Sequence, residues 1–332
     1  GKPHFTDVSD QSGATAPGKR YSLSVTTLDY DRDGWPDIYV AVDSQPSILY
    51  HNNHNGTFTD TAVEMGVAYS EDGREQAGMG TAAADFDGNG YLDLVKTNFI
   101  DDTPNLYGNA GGRGFSEVTV PAGLGKYTQF MGWGAAFLDY DNDTWPDIFM
   151  VNGHVYPEAR DVKFQQRRIL YRNTGNAKFQ DVSAESGPGV MAEASSRGLA
   201  IGDYDNDGDV DIFITNMNGR PSLLRNDGGN RRNFLNIRLV GRKANRDGIG
   251  ARVAIFCGKR TLVNEVRSGS TFMSHSDLRL HFGLGEATVV DRMEIEWPGG
   301  AKETIRNIQA NGFVTAAQGE GIIRTDPYNW RK

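Results

Sequence analysis

Asp203-Tyr204-Asp205-Asn206-Asp207-Gly208-Asp209-Val210-Asp211 places carboxylates at its first, third, fifth and ninth positions and glycine at its sixth. Alternate residues of a tight turn fold toward one centre, and a hard cation such as Ca2+ takes six to eight oxygens from such a set. Gly208 supplies the positive φ that lets the chain bend around the ion. The carbonyl of Asp209 and the carboxylate of Asp211 complete the cage. The residues that follow, Ile212-Phe213-Ile214, read as a strand. An EF-hand would instead carry its closing acid at position twelve, between two helices.

The same loop is written three more times in register. The first copy has Asp29, Asp31, Asp33, Gly34, Trp35 and Asp37; the second has Asp85, Asp87, Asn89, Gly90, Tyr91 and Asp93. The third has Asp139, Asp141, Asp143, Trp145 and Asp147, with Thr144 in place of the glycine. A β-branched residue at that bend is strained, so the third loop is expected to bind more weakly. Trp35, Tyr91, Trp145 and Asp209 stand at position seven, where the backbone carbonyl is the ligand. Asp, Asn and Gly also make ordinary metal-free turns. Four copies in register, each opening into an apolar run, argue for about four bound Ca2+ instead. Carboxylates about 5 Å apart repel by roughly 3 kcal/mol per pair at an effective dielectric constant of ~20. A bound ion reverses that, and adds about 2.7 kcal/mol per site when its concentration is ~100-fold above Kd.

The repeat extends beyond the loop. Asp29, Asp85, Asp139 and Asp203 are spaced by 56, 54 and 64 residues. Each unit opens on an aromatic-led strand: Phe5-Thr6-Asp7-Val8, Phe58-Thr59-Asp60, Phe115-Ser116-Glu117-Val118, Phe179-Gln180-Asp181-Val182. A small-residue strand leads into the loop and a second strand leaves it. A third strand ends at Leu49-Tyr50, Leu106-Tyr107, Leu170-Tyr171 or Leu223-Leu224, two residues before Asn52, Asn109, Asn173 or Asn226. About four short strands per period is one propeller blade. Small residues suit the inner strand, where blades crowd the axis. The longest period holds an insertion at Gly153-His154-Val155-Tyr156-Pro157, followed by Gln165, Gln166, Arg167 and Arg168. From Phe234 the pattern changes to strands at 234–240, 251–257, 261–267, 278–282 and 292–297, a second β domain of sandwich or small-barrel type. The fold class is therefore all-β. Blades occupy 1–233, the second domain 234–320 and a tail 321–332.

Charge divides close to that line. Residues 1–224 carry a net charge of −16 and residues 225–332 a net +7. Fifteen cage carboxylates account for much of the acidity, and four Ca2+ would bring the first part to −8. The basic stretch from Arg225 to Arg260 could touch nucleic acid or acidic glycans, but reads rather as a solvated face or one docked on the acidic domain, and no nucleic-acid partner is expected. No apolar run reaches the ~20 residues of a membrane span. No signal peptide opens the chain, which fits either a cytoplasmic protein or an already processed one. Cys257, the single cysteine, lies in an apolar run and reads as a buried hydrophobe. Millimolar Ca2+ points to an extracellular or periplasmic location.

These residues resemble a known family. The loops look like FG-GAP/VCBS repeats, the integrin-α-type calcium blades. Asn245-Arg246-Asp247-Gly248-Ile249-Gly250-Ala251, Ser274-His275-Ser276-Asp277, His281-Phe282-Gly283-Leu284-Gly285 and Trp297-Pro298-Gly299-Gly300 resemble an ASPIC/UnbV domain. The pairing is similar to the cartilage-acidic-protein-like family and its bacterial relatives. The resemblance implies a secreted, calcium-stabilised propeller that works in adhesion by binding a protein or glycan surface. Such relatives have about seven blades, and four are countable here. The chain is therefore expected to be the C-terminal part of a longer ring whose missing blades come from a second chain, a second copy or a cleaved amino-terminal half, with Phe5–Val8 as the outer strand of an incomplete blade.

Two other functions remain open. A structural subunit assembled head to tail suits the opposite charges of the two domains. A calcium-dependent polysaccharide lyase would use His154, Tyr156, Glu158 and Arg168, which lie close in sequence and could pair a general acid/base with an anion-binding arginine. No nucleophile elbow, phosphate loop or cofactor fingerprint accompanies them. His154, Tyr156 and Arg168 stand equally as ligand-binding candidates. Trp35 and Trp145 are either platforms for sugar or packed between blades. His51 and His54 read as surface residues, and His275 and His281 as structural parts of the second domain.

Overall fold

Each acidic loop is the hairpin turn between the first two strands of an antiparallel sheet, in a computed structural model that describes residues 4–15, 18–158 and 160–327. The first blade runs Ser22–Leu28, Asp37–Val42, Ile48–Asn52 and Phe58–Asp60; the second runs Gly78–Ala84, Asp93–Asn98, Asn105–Asn109 and Phe115–Glu117. The third is Gly132–Leu138, Asp147–Asn152, Ile169–Asn173 and Phe179–Asp181. The fourth has three strands, Ser196–Gly202, Asp211–Asn216 and Ser222–Leu224. These strands order because loop and hairpin register agree: in the first, Leu28 pairs with Asp37, so the loop closes in nine residues with no slack.

The four inner strands lie side by side around an axis. Their small residues are required there. A Cβ on Gly80 would sit 2.0 Å from the carbonyl oxygen of Trp133 in the next blade. Between the inner-strand layers, apolar clusters form, such as Ala82, Val95, Leu106, Ala135, Ile148 and Tyr171 between the second and third blades.

The two ends of this arc are unlike its middle. Every residue of the inner strands Gly78–Ala84 and Gly132–Leu138 is buried. In the first blade Tyr21 and Val25 are exposed, and in the fourth Phe213 and Leu223 are exposed. Phe5–Val8 does not form the expected strand. Phe5 is fully exposed, because no third strand stands beside it among the described residues, and a short helical turn, Ser9–Ser12, follows.

The second domain is a sandwich of two four-stranded sheets. One has the order Leu280–Gly285, Asn233–Val240, Gly312–Ala317, Gly321–Pro327; the other Arg260–Glu265, Arg252–Cys257, Val289–Glu296, Lys302–Gln309. Leu235, Ile237, Val253, Ile255, Phe282, Met293, Ile295 and Trp297 form the core between them, and Cys257 joins it. The stretch expected as a tail begins with a strand, since Gly321–Pro327 pairs with Gly312–Ala317; residues 328–332 lie outside the described ones. This domain sits across the acidic-loop face of the arc. Its segment around Ser270–Ser276 enters the axis, where Thr271 pairs with Thr81 and its hydroxyl donates to the Leu199 carbonyl. Phe272 meets Trp133 edge-on at 4.8 Å.

Candidate metal centres

All four loops adopt one backbone. Position six has φ of 88° at Gly34, 89° at Gly90, 88° at Gly208 and 82° at Thr144. Position four is also left-handed, at Arg32, Gly88, Asn142 and Asn206. The first carboxylate is then aimed by the turn itself. Asp29 accepts from the N–H groups of Asp33 and Gly34, Asp139 from Asp143 and Thr144, and Asp203 from Asp207 and Gly208. The ninth carboxylate accepts the position-two N–H: Tyr30 to Asp37, Phe86 to Asp93, Tyr140 to Asp147, Tyr204 to Asp211. In each loop, oxygens from positions one, three and nine lie within 4.8 Å of one another. Those sets are Asp29, Asp31 and Asp37; Asp85, Asp87 and Asp93; Asp139, Asp141 and Asp147; Asp203, Asp205 and Asp211.

Burying these acids together is costly. Desolvation, helped by the neighbouring carboxylates, pushes the Asp37 carboxyl up to about 8 and that of Asp211 to about 7. Asp29, Asp85 and Asp203 rise to about 6, chiefly by burial. Asp93, Asp139 and Asp147 are raised well above the usual carboxylate range for the same reason. Buried oxygens Asp85 Oδ1 and Asp141 Oδ1 find no hydrogen-bond partner among the described residues. A site of clustered, desolvated, partly unsatisfied oxygens fits a hard dication.

The sequence of the chain matches two family models. Residues 29–96 and 164–214 match the FG-GAP-like repeat model, and residues 241–323 match the ASPIC and UnbV model. This is an FG-GAP-repeat protein with an ASPIC/UnbV domain. Cartilage acidic protein 1 of Mus musculus is 29% identical over 277 residues, 80% of this chain and 40% of the relative. The Homo sapiens protein is 28% identical over 283 residues, 82% of this chain and again 40% of the relative. The chain thus spans about 40% of the length of the curated relatives it matches. Among solved structures, rhamnogalacturonan lyase YesW superposes with a TM-score of 0.37 at 14% identity, covering 94% of this chain and 59% of that one. An Agrocybe aegerita lectin recognising terminal N-acetylglucosamine gives 0.33 at 17% identity, covering 62% and 53%. Superpositions this loose carry no functional argument.

Two parts of the FG-GAP sites were not legible as sites. The first is the asparagine after each third strand. Its backbone N–H donates to the ninth carboxylate: Asn52 to Asp37, Asn109 to Asp93, Asn173 to Asp147, Asn226 to Asp211. In three blades its side chain also donates to the loop of the preceding blade. Asn109 reaches the Tyr30 carbonyl at 2.8 Å, Asn173 that of Phe86 at 2.9 Å and Asn226 that of Tyr140 at 2.7 Å. Their fixed place two residues past the third-strand motif was the available signal.

The second part comes from the ASPIC/UnbV domain, which grips the loops. Arg252 donates to the Gly90 carbonyl, Arg260 to that of Thr144, and Arg279 to that of Asp203. The Arg260 guanidinium lies 3.6 Å over the Trp145 ring. His281 Nε2 meets Asn142 Oδ1 at 2.6 Å, and burial holds the imidazole far below its usual value, at about 3. Between the domains is a cavity of about 160 Å³ bordered by Asp85, Asp139, Asp203, Glu265, Arg267 and His281.

The remaining expected residues are engaged by other contacts. Trp35 is half exposed and stacks on His54 at 5.1 Å, while Trp145 is covered by Arg260. Tyr91 lies under the Arg32 guanidinium, and the Asp209 side chain is buried. His154 is buried and its Nδ1 accepts the Tyr156 N–H; Tyr156 itself is exposed. Arg168 is buried elsewhere, donating to the Gly189 carbonyl and the Ser222 hydroxyl.

Proposed function

We propose that this chain is a non-catalytic, calcium-binding extracellular propeller protein that acts in adhesion by presenting its surface to a protein or glycan. The observation that carries the reading is the fourfold convergence of three carboxylates on one backbone geometry, each at the base of a blade. Asp29, Asp31, Asp33, Asp37 and their counterparts would hold the ions, which would supply rigidity, not chemistry. Homology to the cartilage acidic proteins supports an extracellular setting. Against catalysis stands the engagement of the candidate groups, since Arg168 serves Gly189 and Ser222 while the His154 imidazole is engaged by its own turn.

Calcium titration by calorimetry tests the first half: about four ions per chain are expected, and none would overturn it. Lyase assays on acidic polysaccharides test the second; activity lost in His154→Ala would make the protein an enzyme.

A second chain, a second copy or an amino-terminal half that completes the ring belongs to the same reading. Support comes from the exposed Phe5, whose counterparts Phe115 and Phe179 are buried, and from the exposed Val25 and Phe213 at opposite ends of the arc. Asn52 adds to this: its side-chain amide donates to Pro36 of its own loop, with no preceding loop to reach among the described residues. Light scattering showing a monodisperse monomer would remove the partner.

A further inference from the structure

The first acidic loop differs from the other three in what leans over it. The third strands run out as Tyr50-His51-Asn52-Asn53-His54, Tyr107-Gly108-Asn109-Ala110-Gly111, Tyr171-Arg172-Asn173-Thr174-Gly175 and Leu224-Arg225-Asn226-Asp227-Gly228. The first alone sets an imidazole on both sides of the shared asparagine. His51 Nδ1 lies 3.6 Å from Asp31 Oδ2, and one donor atom each from Asp31, Asp33 and His51 fall within 4.8 Å of one another. His54 Nε2 lies 2.5 Å from Asp33 Oδ2. Its ring is held by stacking on Trp35 at 5.1 Å and 16°. Both imidazoles are partly open to solvent, at 27% and 45% of side-chain area, so an ion can reach them.

Imidazole nitrogen is a poor partner for Ca2+, which takes oxygen. A mixed set of two imidazoles and two carboxylates suits a borderline dication, above all Zn2+ with bonds of about 2.0–2.2 Å. Tetrahedral ligands at that range stand roughly 3.3 Å apart. The separation between His51 and Asp31 already matches, and the contact between His54 and Asp33 need open by only about 1 Å. The oxygen cage of Asp29, Asp31, Asp33 and Asp37 shares Asp31 and Asp33 with this set, and His51 Nδ1 also lies 3.3 Å from Asp37 Oδ1, so the two sites adjoin.

We propose that His51, His54, Asp31 and Asp33 form a zinc site on the solvent side of the first loop, with Asp31 and Asp33 shared with the calcium cage. The site goes beyond the calcium reading, because its imidazoles belong to no other loop.

The test is titration of the tag-free protein with Zn2+ in millimolar Ca2+, followed by calorimetry, with Co2+ absorption as a spectroscopic probe of nitrogen ligation. One Zn2+ per chain is expected at micromolar Kd or tighter, with a Co2+ visible band. His51→Ala and His54→Ala should each weaken binding roughly tenfold or more, and His275→Ala should leave it unchanged. Circular dichroism of each variant separates loss of ligand from loss of fold. Absence of saturable Zn2+ binding, or equal binding by the His51→Ala/His54→Ala pair, would overturn the proposal as an adventitious ion only. Zn2+ that binds only after Ca2+ is chelated would overturn it too, as an oxygen cage accepting another ion. Zn2+ uptake with no Ca2+ uptake would uphold this site and sink the calcium reading alone.

Discussion

Thr144 is the residue at which local and global demands conflict. Its neighbours in register are glycines, yet it takes the same left-handed φ of 82°. A side chain there costs about 1–2 kcal/mol. Thr144→Gly should raise stability by about 1 kcal/mol, read from urea denaturation in the presence of Ca2+; an unchanged midpoint would mean that the left-handed φ carries no net strain at this position. The cage carboxyls allow a second test. Their values are raised in the ion-free fold, so the folded state holds protons that the unfolded chain has released. Ion-free protein should therefore lose stability as pH rises from about 4 to about 8, the range between the unfolded carboxylate value and the value of Asp37. Saturating Ca2+ offsets that loss, and the gap between melting temperatures with Ca2+ and with chelator should widen toward pH 8. Parallel curves would show that these acids do not meet the ion.

At the scale of the element, the unit is the junction between blades more than the blade itself. Asn173 is fully buried, ties its strand to Asp147 and bridges to the loop before it through Phe86. Asn173→Ala leaves the buried carbonyl of Phe86 and the part-buried one of Pro146 without that donor, which should cost about 2–4 kcal/mol. Asn52→Ala removes one such bond and no junction, and should cost about 1 kcal/mol. Equal losses in chemical denaturation would deny the junction its role. The sequence carried the loops and the first three strands of each blade well, because turn residues and alternation are local signals. It misplaced Phe5–Val8, since a strand exists only where a partner offers its edge. The strands Lys302–Gln309, Gly312–Ala317 and Gly321–Pro327 went unmarked; Gly312–Ala317 pairs in parallel with the distant Asn233–Val240, and such pairing leaves no hairpin turn to find.

The whole molecule is two domains joined at the loop face. That docking was legible only as a charge difference, −16 against +7, and not as the specific grip of Arg252, Arg260 and Arg279 on loop carbonyls. Ion occupancy and docking should consequently be linked. Arg260→Ala removes a hydrogen bond and a guanidinium–indole contact, and should cost about 1–3 kcal/mol. It should also speed hydrogen exchange at the interface amide of Gly285, which donates to Asn142. Exchange there unaltered by both the variant and chelation would uncouple the domains.

The seating of the second domain has a directional outcome. Hairpins that join first to second strands lie under it, whereas the Gly153–Gln165 excursion joins a second strand to a third and so emerges at the opposite pole. Small ions can still reach the covered pole, but a macromolecule approaching the axis is sterically steered to the other, where Tyr156 is exposed.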